Sequence, residues 1–186
     1  MRIISGIYRG KFIKFIKSDI TRPLKDIVKE NIFNILQHSK KINISVEKSN
    51  VLDLYSGVGS FGLECISRGA NNVTFIEKNK GAFDLINENL KRLSISNYAF
   101  VINQSIENSL NLIKREKYSI IFLDPPYKDN QYIKNLLVLK KNKNFKKNHL
   151  VIIHRENRSS ENFNNLLDIL IEKNYGRSKV YFGKFI

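Results

Sequence analysis

The chain of 186 residues contains one cysteine, one methionine, three prolines and no tryptophan. A lone thiol excludes an internal disulfide and any zinc site built from several cysteines. The three histidines, His38, His149 and His154, lack metal-ligand spacing. No metal is therefore expected, and all three read as surface or packing residues. No run of eighteen apolar residues occurs, which excludes a membrane-spanning helix. The segment "MRIISGIYRGKF" has basic residues but neither a continuous apolar stretch nor a small-residue cleavage site, so it does not read as a secretory signal. A cytoplasmic protein with no membrane partner is the default expectation. No G-x-x-x-x-G-K-[ST] segment is present, so nothing supports a P-loop nucleotidase.

Acid is scarce as well. Against 32 Lys+Arg stand 17 Asp+Glu, a net charge of +15. Residues 1–48 carry 11 basic and 4 acidic residues, residues 49–135 carry 10 and 9, and residues 136–186 carry 11 and 4. Both ends are strongly basic and the centre is nearly neutral. That is the footprint of a polyanion binder whose contact surfaces flank a neutral working site. The bland account is a Lys-, Asn- and Ile-rich composition throughout, so charge by itself does not single out nucleic acid.

What is present alternates. "RIISG" and "KFIKFI" flank "IYRG", which predicts a β-hairpin or a pair of short strands. "TRPLKDIVKENIFNILQHS" has Ile27, Val28, Ile32, Phe33 and Leu36 at helical spacing behind Pro23. The polar "KKINISVEKSN" marks the boundary between an extension, 1–48, and a core, 49–186. Strands are then predicted at "VLDLY", "VTFIE", "YAFVIN", "SIIFLD", "HLVIIH" and "SKVYFGKF". Helices are predicted at "SFGLECISRG", "KGAFDLINENLKRL", "SIENSLNLIKRE", "NQYIKNLLVL" and "ENFNNLLDIL". Such alternation predicts a doubly wound α/β fold, a parallel sheet with helices on both faces. Lys140 to Lys147 reads as a solvated loop, with phosphate contact the minority reading.

"VLDLYSGVGSFG" places Gly57, Gly59 and Gly62 between a strand and a helix, where a tight turn and a helix N-terminus receive a ligand. Asp53 lies inside the strand, four residues before Gly57, and a carboxylate there suits an ammonium-bearing ligand better than a pyrophosphate. Glu77 closes the next strand and has the reach to accept both hydroxyls of a ribose. The bland alternatives are a turn cap for Asp53 and a solvated strand end for Glu77. "SIIFLDPPYKDN" is a third signal: an apolar strand ending in an acid and two residues that donate no backbone hydrogen bond. If this strand lies beside the first, Asp124 and Tyr127 emerge next to the glycine turn.

The three motifs together resemble the S-adenosylmethionine-dependent methyltransferases that modify exocyclic amino groups of nucleobases. In such a site Asp124 and a carbonyl at Pro125 would accept the amine protons, Pro125 and Pro126 would fix that carbonyl, and Tyr127 would stack on the base. "RIISGIYRGKFI", "TRPLKDIVKENIFNIL", "LDLYSGVGSFGLECISRGA", "FIEKN" and "FLDPPY" further resemble, in order, the bacterial RsmD-type ribosomal RNA guanine-N2 methyltransferases of the small subunit. The resemblance implies a Rossmann-like class I fold with a mostly parallel seven-stranded sheet and an N-terminal hairpin extension. It implies S-adenosylmethionine as cofactor, no metal, and 16S ribosomal RNA in the small subunit or its assembly intermediate as partner. The working unit is expected to be a monomer. Carried onto this chain, Asp53, Tyr55, Gly57, Gly59, Glu77 and Ser105 would hold the cofactor, and Asp124, Pro125, Pro126 and Tyr127 the target guanine. Arg2, Arg9, Lys11 and Arg22 would meet RNA.

The chain departs from that pattern at Leu24 and Ile27, where the family usually has Thr and Arg. It also has Ser105 where an Asp or Asn commonly meets adenine, with Asn103 and Gln104 as alternatives. Cys65 sits inside a helix and reads as a buried small residue, which disfavours covalent C5-pyrimidine chemistry. Two rivals stay open: a DNA or protein-glutamine amino-methyltransferase with the same signature, and a non-catalytic RNA-binding protein on a degenerate methyltransferase fold. RNA is preferred because the N-terminal match is family-specific and 186 residues leave no room for a separate DNA-recognition domain.

Overall fold

A computed structural model describes residues 1–15, 24–159 and 161–186. Five strands run parallel: β1 (Asn50–Leu54), β2 (Asn72–Ile76), β3 (Ala99–Ile102), β4 (Tyr118–Leu123) and β5 (Phe145–Glu156). Two more complete the sheet: β7 (Ser178–Phe185) lies antiparallel to β5, and β6 (Leu167–Tyr175) antiparallel to β7, so β7 alone runs against the other six. The order β3-β2-β1-β4-β5-β7-β6 changes direction between β1 and β4, and a crevice opens at such a point outside the carboxyl ends of the strands.

The central strands are apolar on both faces because both faces are covered. Val51, Phe75, Ile120, Phe122 and Ile152 belong to a core shared with α1 (Asp26–His38), α2 (Ser60–Ser67) and α3 (Lys80–Leu93). Leu52, Leu54, Ile121, Leu123 and Ile153 belong to a second core shared with α4 (Ile106–Leu112) and α5 (Tyr132–Asn142). Phe33, Phe61 and Phe122 stack in a column from α1 through α2 to β4, with ring centroids 5.2 and 4.0 Å apart. Each buried ring contributes roughly 2–3 kcal/mol of transfer free energy, so the column ties the extension to the sheet.

Three predicted elements differ. "ENFNNLLDIL" is not a helix. Phe163, Leu166 and Leu167 are buried at i, i+3 and i+4, but this spacing reports a single turn closed by the Leu166 and Leu167 amides on the Phe163 carbonyl. From Leu167 the chain pairs with β7 instead, and the antiparallel β6–β7 hairpin replaces strict strand–helix alternation. Lys140 to Lys147 is not a loop: Lys140–Asn142 close α5, Asn144 is buried, and β5 starts at Phe145. Among the described residues the N-terminal hairpin is reduced to one antiparallel bridge, Arg2 with Phe12.

That hairpin-like arm is held by side chains from the core. The buried Glu64 accepts from the Ile4 and Ser5 amides at 2.8 and 2.9 Å and from Arg68 Nε at 2.9 Å. Buried Lys29 donates to the Arg2 carbonyl and stands 3.7 Å from Glu64; desolvation pulls its ammonium down, against the pull of Glu64 and Asp26. Asn89 of α3 clips the Lys14 backbone through both amide atoms. Gly6, at φ +84°, passes so close to α2 that an added Cβ would sit 1.8 Å from the Ser67 carbonyl oxygen. Gly10 has nearly the same φ, +82°, but a Cβ there would meet nothing within 4 Å.

The two glycines form a matched pair. Gly10→Ala is expected to cost about 1–2 kcal/mol, the ordinary cost of a left-handed L-residue. Gly6→Ala should cost more, because the contact with α2 is lost as well. Chemical denaturation of both variants measures this, and equal losses would remove the close approach as the cause.

Candidate active site

The crevice between the carboxyl ends of β1 and β4 is a cavity of about 740 Å³. That is ample for a nucleoside-sized ligand, since such pockets run to roughly 300–1,000 Å³. Its wall includes Asp53, Tyr55, Gly57, Glu77, Ser105 and all four residues Asp124 to Tyr127. The glycine turn and the Asp-Pro-Pro-Tyr segment thus open into one space. Two things bring them there: Leu54 pairs with Leu123, and both strands end at that pair.

On the β1 side the chain turns sharply. Tyr55 has φ +58° without being glycine, an uncommon backbone state that costs of order 1–3 kcal/mol and persists only where its surroundings enforce it. Ser56 supplies that enforcement: its amide donates to the Ile76 carbonyl, and its hydroxyl accepts from the Ile76 amide and donates to the Asp53 carbonyl. Gly57 follows at φ +55°, with open space where a Cβ would stand, so a ligand can come against its backbone. Gly59, at φ +81°, is the N-cap of α2 and is set back from the cavity wall. Gly62 serves packing: a Cβ there would be 2.2 Å from the Phe75 ring.

The acids of this side are already engaged with backbone. Asp53 is 1% exposed and its Oδ2 accepts from the Gly62 amide at 3.0 Å, so it caps α2 as well as facing the cavity. Burial raises its carboxyl well above the usual range, opposed by the Gly62 amide and reinforced by the charges of Asp124 and Glu77. Glu77 accepts from Gly57 N through Oε2 at 2.8 Å and from Asn79 N through Oε1 at 2.7 Å. Each carboxylate oxygen has a second acceptor site, so Glu77 is oriented by these bonds and still able to receive hydroxyls. Ser105 is the N-cap of α4, accepting from Asn108 N. Asn103 donates its amide to the Glu77 and Lys78 carbonyls and does not line the cavity, whereas Gln104 does. Tyr55 accepts at its hydroxyl from Asn135 Nδ2, and burial pushes its phenol up.

On the β4 side the segment is gripped by β5. His154 Nδ1 lies 2.7 Å from Asp124 Oδ1. Arg155, 2% exposed, donates to the Pro126 carbonyl at 3.1 Å and the Tyr127 carbonyl at 2.9 Å. It does not take the Pro125 carbonyl. Glu161 accepts from Arg155 Nε at 2.6 Å and from the Tyr132 hydroxyl, and those bonds hold its carboxyl below the usual range despite burial. Pro125 is buried, Pro126 is exposed, and Tyr127 is half-buried with its ring edge-on to His154 at 6.4 Å.

Arg2, Arg9 and Lys11 lie exposed on the arm and not on the cavity wall. Arg22 lies outside the described residues. Leu24 is buried on the wall as an apolar surface, and Ile27 points outward, 64% exposed. Cys65 is fully buried, and burial pushes its thiol up. His149 is buried between Phe145 and Phe185, accepting from the Phe185 amide. The sequence reading of His154 as a surface or packing residue needs correction, because it contacts the carboxylate of the Asp-Pro-Pro-Tyr segment. The signal was available: His154 ends "HLVIIH", and residues at the carboxyl ends of neighbouring parallel strands meet at the ligand crevice. Nothing local announced Arg155 or Ser56.

Comparison with known proteins agrees with this architecture. The sequence profile of the family described as Conserved hypothetical protein 95 matches residues 1–184. The Ribosomal RNA small subunit methyltransferase D of Buchnera aphidicola subsp. Baizongia pistaciae is 30% identical over 188 residues, covering 100% of this chain and 91% of that protein. The protein of the same name from Haemophilus influenzae is 35% identical over 161 residues, covering 84% and 79%. A solved structure of HI0767 from Haemophilus influenzae, named as a methylase, superimposes with a TM-score of 0.77 at 30% identity, covering 100% and 98%. From the profile match and these relatives, the chain belongs to the Conserved hypothetical protein 95 family, the RsmD-type group that its motifs resemble.

Proposed function

We propose that the chain transfers a methyl group from S-adenosylmethionine to N2 of a guanine in small-subunit ribosomal RNA. The observation that carries this reading is the single cavity walled on one side by Asp53, Gly57 and Glu77 and on the other by Asp124 to Tyr127. The names of the relatives support the substrate class.

The residues fit the cofactor. Gly57 presents bare backbone, Glu77 is aligned for ribose hydroxyls, and the buried Asp53 suits a cationic amino group. Ser105 or Gln104 would meet the adenine. When bound, S-adenosylmethionine supplies an electrophilic methyl on a sulfonium. The chain's task is then to improve a poor nucleophile, because the exocyclic nitrogen's lone pair is delocalised into the base. Accepting its two N–H groups at Asp124 and at the Pro125 carbonyl favours a pyramidal nitrogen with the lone pair directed across the cavity. Arg155 fixes the following two carbonyls, so the acceptor at Pro125 is set before the base arrives. Tyr127 offers a face on which the base can stack. A neutral product requires one amine proton to leave, and the carboxylate already accepting it is its first resting place. Orientation, more than strong acid–base help, is what such a displacement needs.

Residues 1–48 would form an RNA-contacting extension of the core. A monomer is the proposed working unit. No described helix is long and apolar enough to cross a membrane, and a ribosomal substrate points to the cytoplasm.

Asp124→Ala is expected to lower methyl transfer to undermodified small-subunit particles by about 10³-fold, the scale of losing a preorganised polar contact at a reacting group. Cofactor affinity by calorimetry should barely change, because the proposed partner of Asp124 is the amine. Equal loss of both would move Asp124 into the cofactor shell, and no cofactor binding by the unmodified protein would favour a non-catalytic scaffold. Replacing Arg9 and Lys11 together by Ala should weaken RNA binding and reduce the slope of log K against log salt by about 1.4–1.8, at 0.7–0.9 per phosphate contact. An unchanged slope would remove the arm from the interface.

A further inference from the structure

His154 stands at the carboxyl end of β5 with a role that the scheme above leaves open. It is 6% exposed, its Nδ1 is 2.7 Å from Asp124 Oδ1, and its Nε2 is buried with no hydrogen-bond partner among the described residues. The ring has three states to choose from. An imidazolium would leave a buried N–H at Nε2 with nothing to accept it. The neutral Nε2–H tautomer carries the same orphaned donor and turns a lone pair at Nδ1 against the carboxylate. The neutral Nδ1–H tautomer donates to Asp124 and leaves only an unfilled acceptor, and an unfilled acceptor is the less costly defect.

We propose that His154 is a positioning residue for methyl transfer: as the neutral Nδ1–H tautomer it holds Oδ1 of Asp124, so that Oδ2 faces the amine of the target base. The proposal rests on Asp124 receiving that amine. An aspartate's terminal torsion is broad and roughly two-fold, so an unrestrained carboxylate would sample orientations that miss the nitrogen. Adjacent side chains on a strand point to opposite faces. His154 and Arg155 therefore take hold of the Asp-Pro-Pro-Tyr segment from both sides of the strand end, one through its carboxylate and the other through its carbonyls. Neither residue has to touch the base. Together they set the two acceptors that do.

The test compares His154→Asn, whose amide nitrogen lies near the Nδ1 position, with His154→Gln, whose amide reaches the Nε2 position, and with His154→Leu. For the Leu and Gln variants kcat should fall about 10- to 100-fold with KM and cofactor affinity nearly unchanged, while Asn recovers most of the rate. Nitrogen-15 histidine spectra of the unmodified protein should show the Nδ1–H tautomer for His154. An unchanged kcat for His154→Leu, an Asn variant no better than Gln, or a spectrum of the Nε2–H or imidazolium form would each overturn the proposal. If a variant does not fold, the spectrum decides. If the unmodified protein transfers no methyl group at all, the function proposed above fails, and the spectrum still judges the His154–Asp124 arrangement by itself.

Discussion

Leu54 stands beside Leu123 in the parallel pairing of β1 with β4, and both strands stop there. That register decides what the next residues on each strand meet. Tyr55 and Asp124 leave the sheet at the same height and between the same two strands, so the glycine turn and the Asp-Pro-Pro-Tyr segment share a wall without any long loop. A slip of one residue would exchange the two faces of β4, sending Ile121 and Leu123 to the core that holds Ile120 and Phe122, and the reverse. The register is thus held by packing on both faces: Leu52, Leu54, Ile121 and Leu123 are buried in one core, and Val51, Ile120 and Phe122 in the other.

Around that junction, acids serve as fasteners for backbone. Asp53 holds the start of α2, Glu77 holds Gly57 and Asn79, and Glu64 holds Ile4 and Ser5 of the arm. Hydrogen bonds to a charged group contribute roughly 1.5–3 kcal/mol each, and an abandoned buried acceptor costs as much or more. The Glu64 contacts and the Glu77–Gly57 contact join segments 20 to 60 residues apart. This explains how a chain with few prolines and one cysteine fixes two tight turns and a docked arm.

The legible parts of the sequence were those where local pattern and global fold agree. The helix at 80–93 was readable to the residue because its apolar stripe, Asn79 cap and basic last turn coincide. Asp124 to Tyr127 and the glycine turn were readable because strand-end chemistry is carried by adjacent residues. The hairpin at 167–185 was misread in its first half, since one helical turn at Phe163–Leu167 imitates the start of a helix and β6 alternates weakly at the sheet edge. Arg155 and Ser56 were invisible for a different reason. Arg155 holds the Pro126 and Tyr127 carbonyls and Ser56 holds Ile76 of β2, distant in sequence, and nothing in their own neighbourhood distinguishes them from any polar residue at a strand end.

Net charge also divides once the structure is known. Lys91, Arg92, Lys140 and Lys141 occupy the last turns of α3 and α5, where cations are stabilised by the carboxyl end of the helix dipole. Part of the excess of +15 therefore has a reason inside the fold. Arg9 and Lys11 have no such reason. They project from an irregular arm, are exposed, and enter no ion pair among the described residues. The arm itself is anchored at considerable cost, through a buried lysine, a buried glutamate and a glycine pressed against α2. A fold that buries ionic groups to hold a cationic tip in place gains little stability from that tip, which fits the RNA contact proposed for Arg9 and Lys11.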